Sequence, residues 1–308
     1  MAITAANMTS DYSGFLTPEM SAPIFDEAQR QSAFQQLFRR VPLGINGQTV
    51  PVVTSKPTAK WTNEGAKKHG TNMGLGLLEM EPEKLTAFAV FSAEVVRANP
   101  GNITGLIRPA LAGAFATAFD YAVGFGLGGD GTGTGPFAKD LSDTTKSVTL
   151  GTTTQANGGI HGDFVAAMSL LVADGKKLTG WAIGDSIEPD LWGAVDTSGR
   201  PLYVDLPTDN TSEAIARPGR LLNRPSFMGE GVENGDTVGF GGDFTKGAWG
   251  AVGGINYRIS TEAAVTINGE LVSAFENNLV VVLAEAEYGF VLADEEAFVK
   301  LEAAEVTP

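Results

Sequence analysis

Two histidines, His69 and His161, and no cysteine set the first limit on what this chain of 308 residues does chemically. Without cysteine there is no disulfide, no thiol nucleophile and no thiolate metal site. Two isolated histidines leave little material for imidazole chemistry. The close acidic pairs near the end are Glu285/Glu287 and Glu295/Glu296. Paired carboxylates are what a glycoside-cleaving hydrolase uses, but no nucleophile, base or metal cluster accompanies these. They read as solvated strand or turn faces. Gly126, Gly128 and Gly131 satisfy G-x-G-x-x-G. A dinucleotide-binding loop must leave a strand and open a helix, whereas this run leaves a helical pattern and meets Pro136. It reads as a glycine-rich helix exit, and Asp130-Gly131-Thr132-Gly133 is not the aspartic-protease triplet. No catalytic, cofactor-binding or metal-binding residue is assigned, and no cofactor is expected.

Charge distribution is the next constraint. Residues 1–100 carry nine basic and nine acidic side chains, while residues 101–308 carry twelve and twenty-seven, the whole net charge of −15. An acidic body argues against tight nucleic-acid binding, which rests on Lys and Arg neutralising phosphates. The start lacks a basic n-region and an apolar h-region, so no signal peptide is expected. No apolar run approaches the roughly 20 residues of a membrane span. The glycosylation-type matches at Asn7, Asn102 and Asn210 are therefore read as chance.

The chain is organised around residues 60–135. From Lys60 to Leu78, glycines and polar residues predict an extended ribbon. It carries a small basic patch, Lys60, Lys67 and Lys68, beside Trp61. Met73, Leu75, Leu77 and Leu78 form an apolar cluster that this segment cannot bury by itself, so a neighbouring molecule is expected to cover it. Leu85–Phe91 returns as a strand. Ile103 to Ala122 then repeats apolar residues at three- and four-residue steps, predicting a long amphipathic helix with Asn102 as N-cap and Gly124 and Gly126 as its stop. Pro109 predicts an interior kink.

Around this stretch the reading is coarser. Residues 1–14 are polar and aperiodic and read as an arm. Pro18 to Arg40 reads as a helix, with Asp26 and Glu27 near its start and Arg39 and Arg40 at its end, complementing the dipole. Thr49–Val53 is an edge strand because of Pro51. Ser147–Leu150 is a strand, and Asp163 caps a helix, Phe164 to Ala173, closed by Asp174-Gly175. Short strands and turns follow from Thr179, with Asp196-to-Arg200 and Asp243 read as turn chemistry. Leu279–Glu287 is a near-continuous apolar run that predicts a strand covered on both faces.

An extended loop, a returning strand, a long helix and a glycine run, in that order, resemble the tailed-bacteriophage major capsid protein family with the Hong Kong 97 fold. Trp61-Thr62-Asn63-Glu64-Gly65, Glu81-Pro82-Glu83-Lys84-Leu85 and Phe91-Ser92-Ala93-Glu94-Val95 fit its wording. So do Asp196-Thr197-Ser198-Gly199-Arg200-Pro201-Leu202-Tyr203, Leu221-Leu222-Asn223-Arg224-Pro225, Gly241-Gly242-Asp243-Phe244-Thr245-Lys246 and the closing Ala297-Phe298-Val299-Lys300-Leu301. The likeness spans about residues 15–302. It implies an α+β fold with an N-terminal arm and helix (1–45), an E-loop β-ribbon (46–91), and a spine helix with a peripheral β-sheet lobe (92–178). A central axial α/β lobe (179–272) and return strands of the peripheral lobe (273–308) complete it.

By the same resemblance the function is structural: self-assembly through pentamers and hexamers into an icosahedral head. The residues expected at the inter-subunit contact are Lys60, Trp61, Lys67, Lys68, Met73, Leu75 and Leu77. Implied partners are other copies of the chain, a separate scaffolding protein, portal and decoration proteins, and enclosed double-stranded DNA held without sequence-specific binding. No membrane is implied, and the place is the virion, assembled in the host cytoplasm. An encapsulin-type compartment shell and an acidic hydrolase are the alternatives kept open.

Overall fold

The computed structural model describes residues 32–94, 103–154, 158–194, 203–205, 217–267 and 269–304. The readings made on residues 1–31, Asn102, residues 196–202 and Asn210 lie outside them. The first described helix, α1 (Ala33–Leu37), is N-capped by Ser32, whose hydroxyl accepts from the Gln35 N–H. It ends sooner than its apolar periodicity predicts. Phe38 turns extended and packs its ring against Phe244, Phe290 and Phe298, at centroid distances of 5.0, 5.2 and 6.0 Å. Arg39 and Arg40, expected to close the helix, instead form β1 (Arg39–Arg40), parallel to Ala248-Trp249. Burying an aromatic ring outweighs one more helical turn.

The ribbon consists of β2 (Gln48–Ser55) and β3 (Gly74–Met80), and the chain returns as β4 (Glu83–Ser92). The long helix α2 (Ile103–Phe125) runs unbroken through Pro109. It stops where Gly126 takes φ +61°, a left-handed conformation that glycine adopts at little cost. Then come β5 (Ser147–Thr149), α3 (Ile160–Ala173), β6 (Gly180–Ile183), α4 (Glu188–Gly193) and β7 (Tyr203–Asp205). The remaining strands are β8 (Arg217–Leu221), β9 (Arg224–Met228), β10 (Thr237–Gly242), β11 (Gly247–Ala251), β12 (Asn256–Ser260), β13 (Ala264–Ile267), β14 (Glu270–Ser273), β15 (Leu279–Leu292) and β16 (Phe298–Glu302).

Two sheets carry the body. In the first, β15 is central, with β4 along one edge and β11 and β12 in succession along the other. Phe115, Phe119 and Val123 of α2 join Ala284, Ala286, Tyr288 and Phe290 of β15 in one core, so the helix covers one face of this sheet. Within the run Leu279–Glu287, double-sided burial holds for Leu279–Val282, and it resumes in β15 at Tyr288–Leu292. Between Leu283 and Glu287 the strand alternates, and Leu283, Glu285 and Glu287 are half-buried on the opposite face. Glu285 bonds Lys84 at 2.6 Å and lies 3.7 Å from Arg258. Two carboxylates cannot be buried unpaired, which is why the apolar run misleads here.

The second sheet runs β5-β16-β10-β6-β9-β8-β7, with α3 packed on it through Phe164, Ala167 and Leu171. Two adjacent strand pairs bridge the sheets: β10 continues into β11 and β15 into β16, each through a single short 3-10 turn. Strand pairing thus crosses the segments read from the sequence, since β11 and β12 join β15, and β16 joins β10. Asp163 is another correction. The cap position of α3 is Gly159, and Asp163 lies in the first turn. Its buried carboxylate accepts from the N–H groups of Gly151 and Thr153 and the hydroxyls of Thr152 and Thr153, latching that loop to the helix.

Candidate assembly surface

The ribbon is built from two strands with unlike faces. Alternation places Val50, Leu78 and Met80 on one face and Pro51, Val53, Leu75 and Leu77 on the other, with Val53 opposite Leu75 and Pro51 opposite Leu77. The first face is seated in the body: Val50 and Met80 are buried with Leu43, Ala248 and Val291. Its entry turn requires glycine, because Gly47 has φ +83° and a Cβ there would lie 2.9 Å from the Met80 carbonyl oxygen.

The second face has no buried apolar packing among the described residues. Val53, Leu75 and Leu77 keep 51%, 64% and 71% of their surface exposed. Beyond Ser55 the strands give way to a tip, residues 56–73, held by the Thr58 N–H donating to Thr71 Oγ1 at 2.9 Å and by a turn in which Ala66 N–H donates to the Asn63 carbonyl. Trp61 and Met73 stand exposed on it, and so do Lys60, Lys67 and Lys68. No described carboxylate lies within ion-pair reach of these three lysines. The structure therefore gathers all seven expected contact residues on one projecting ribbon and leaves them open to solvent. Pattern reading alone missed Val53, whose partnership with Leu75 depends on register. It also missed Ile45 and Phe275, lone apolar residues in turns that give no periodic signal, and Leu271 in the short strand β14; they are 78%, 77% and 76% exposed.

The residues with catalytic types are placed otherwise. Glu295 pairs with Lys139 at 2.5 Å, and Glu296 pairs with Lys146 at 2.6 Å. Lys146, helped by Thr145, holds the Glu296 carboxyl down to about 2, so it is ionised at neutral pH and unsuited to donate a proton. The glycine run after α2 closes on itself. Gly128 N–H donates to the Thr132 carbonyl, Gly131 N–H to Gly128 and Gly135 N–H to Gly126, while Asp130 Oδ1 accepts from Thr132. Those amides hold a turn and are not aimed at a phosphate. No group of three or more potential metal ligands occurs among the described residues. No helix among them is long and apolar enough to cross a membrane.

One buried acid ties the first described helix to the long one. Asp120, 2% exposed on α2, accepts from Ser32 Oγ at 2.6 Å, Ala33 N at 3.0 Å and Phe34 N at 3.3 Å. Burial pushes its carboxyl up to about 7, against the pull of those three donors. It fixes α1 to the long helix, and the approach is tight: a Cβ at Gly231 would lie 2.7 Å from the Asp120 Cβ.

The model of the Phage capsid family matches residues 13–303. A protein of Mycobacterium phage D29 called "Probable major capsid protein gp17" is 38% identical over 294 residues, covering 94% of this chain and 90% of that relative. Its namesake in Mycobacterium phage L5 is 39% identical over 302 residues, covering 95% and 90%. Among solved structures, a chain from Gordonia phage Cozz superposes with a TM-score of 0.67 at 22% identity, covering 89% of this chain and 87% of that one. That likeness is one of fold, an α+β capsid fold.

Proposed function

The chain belongs to the phage capsid family, and from that premise we infer that it is the major capsid protein of a bacteriophage. It is a structural subunit, not an enzyme, whose copies close an icosahedral shell as a component of the virion. The observation that carries this reading is the family match over residues 13–303, joined to an apolar ribbon face that stays largely exposed among the described residues. Ordering such a ribbon costs about 1–2 kcal/mol of backbone entropy per residue, and exposed Leu75 and Leu77 return nothing until another surface covers them.

The finer reading assigns Hong Kong 97 roles to the parts. Residues 1–45 are the N-terminal arm and helix, 46–91 the E-loop, and 92–178 the spine helix with the peripheral lobe. Residues 179–272 form the axial lobe and 273–308 the return strands. Lys60, Trp61, Lys67, Lys68, Met73, Leu75 and Leu77 make the contact between copies, which gather as pentamers and hexamers in the host cytoplasm. A scaffolding chain, a portal and decoration proteins are the further partners. The enclosed double-stranded DNA is not read in sequence, in keeping with the net charge of −15. Electron microscopy of the protein expressed alone tests this. Closed shells or capsomer rings are expected; a monomer persisting at high concentration contradicts the assignment.

A further inference from the structure

Buried polar groups are normally hydrogen-bonded, so an orphan needs a physical explanation. Two orphans stand side by side in the second sheet: the indole Nε1 of Trp181 on β6 and the hydroxyl of Ser226 on β9 find no partner among the described residues. Both residues are 0% exposed. The parallel register sets Trp181 opposite Ser226, so their side chains leave the sheet on the same face. That face is covered by α3, whose Phe164 meets the Trp181 ring edge-on at a centroid distance of 5.2 Å. The strand on the other side fixes how the ring lies. A Cβ on Gly241 of β10, which is paired with Trp181, would press on Cζ3 and lie 2.5 Å from Cε3. The benzene edge of the indole therefore rests over β10, which turns the pyrrole edge and its N–H toward β9. Beyond Ser226 the row continues to Gly219 of β8, which adds no side chain to fill the space.

We propose that Trp181 Nε1 and Ser226 Oγ share one internal water molecule, a hydration site between β6 and β9. The water oxygen accepts from the indole N–H, and one of its hydrogens goes to the serine oxygen, so both orphans are satisfied. Two polar partners are the fewest that hold a buried water. A larger ligand has no way in, because both residues are sealed from solvent. A halide would also accept from two donors, but a buried anion needs a countercharge. The charged residues buried among those described, Asp120, Asp163 and Asp243, are all acids. The bridge ties together two parallel strands that residues 184–223 separate along the chain. It belongs to the core of the subunit, and it is the same whether that subunit is free or part of a shell.

A density map of the wild-type protein that shows ordered waters tests this, from shells by electron cryomicroscopy or from crystals of the subunit. The expected result is a single peak within about 2.7–3.2 Å of both atoms. A direct bond between Nε1 and Oγ with no peak between them, or neither bond nor peak, overturns the proposal. Urea melts give a second reading. Ser226→Ala and Trp181→Phe each delete one partner of the water, and each is expected to lower the folding equilibrium constant about fivefold or more. Because the first deletion already breaks the bridge, the double variant should lose less than the product of the two single losses. Losses that simply multiply mark two independent groups and overturn the proposal. A direct bond would couple the two residues as well, and the map separates that case. Should the double variant fail to fold, the map decides alone.

Discussion

Asp120→Asn gives a prediction whose size follows from the structure. The folded carboxyl titrates near 7, while an ordinary aspartate titrates near 3.8, and burial is the cause. The folded state therefore binds this proton more tightly than the unfolded chain. Linkage makes the group's contribution fully present below pH 3.8 and lost as pH rises through about 7. The full span is about 4 kcal/mol at 1.36 kcal/mol per unit. Between pH 8 and pH 5.5, a range that avoids the isoelectric region, wild type should gain about 2 kcal/mol from this site. Asparagine cannot titrate, and its amide nitrogen cannot accept the Ala33 N–H, which adds a constant cost of about 1–3 kcal/mol. Urea melts of both proteins, at pH 5.5, 6.5, 7.2 and 8, isolate the titration from that offset. The stability difference between wild type and variant should widen by about 2 kcal/mol on going from pH 8 to pH 5.5. Parallel curves would refute the argument that burial, and not the three donors, governs Asp120.

Two further variants probe the tip and the α2 packing. Replacing Lys67 and Lys68 by Glu should weaken assembly most at low salt; exposed pairs bring only about 0–1 kcal/mol each, so the readout is the midpoint of assembly against ionic strength, and an unchanged midpoint counts against an electrostatic share. Gly231→Ala forces a Cβ to within 2.7 Å of Asp120 Cβ and 3.0 Å of the Thr117 carbonyl oxygen, so it should cost about 1–3 kcal/mol of subunit stability, measured by thermal melt.

What could be read from the sequence followed the physics of each segment. The long helix and the ribbon were legible because one repeats apolar residues at helical spacing and the other interrupts its leucines with glycine. The Gly126 stop and the glycine-run turn were legible from backbone preferences alone. Arg39 and Arg40 were not, because their pairing with β11 depends on a partner more than two hundred residues away. The outer face of β15 was misread for a related reason. Whether Glu285 faces solvent or core depends on the register with β4, which places it opposite Thr86 and near Lys84. Asp163 carries the residue type of a cap yet latches a loop, a choice that only the fold of residues 150–154 decides.

The central claim is that the ribbon joins one copy to the next and contributes little to its own subunit. Residues 51–77 can be replaced by Asn-Gly, joining Val50 to Leu78, which face each other across the ladder and suit a two-residue turn. The seated residues Val50 and Met80 stay in place. Sedimentation velocity of this variant against wild type is the most direct measurement. The account predicts a cooperatively melting protein that sediments as monomers or loose capsomers under conditions in which wild type forms shells. Shells of normal yield from the shortened chain would contradict it.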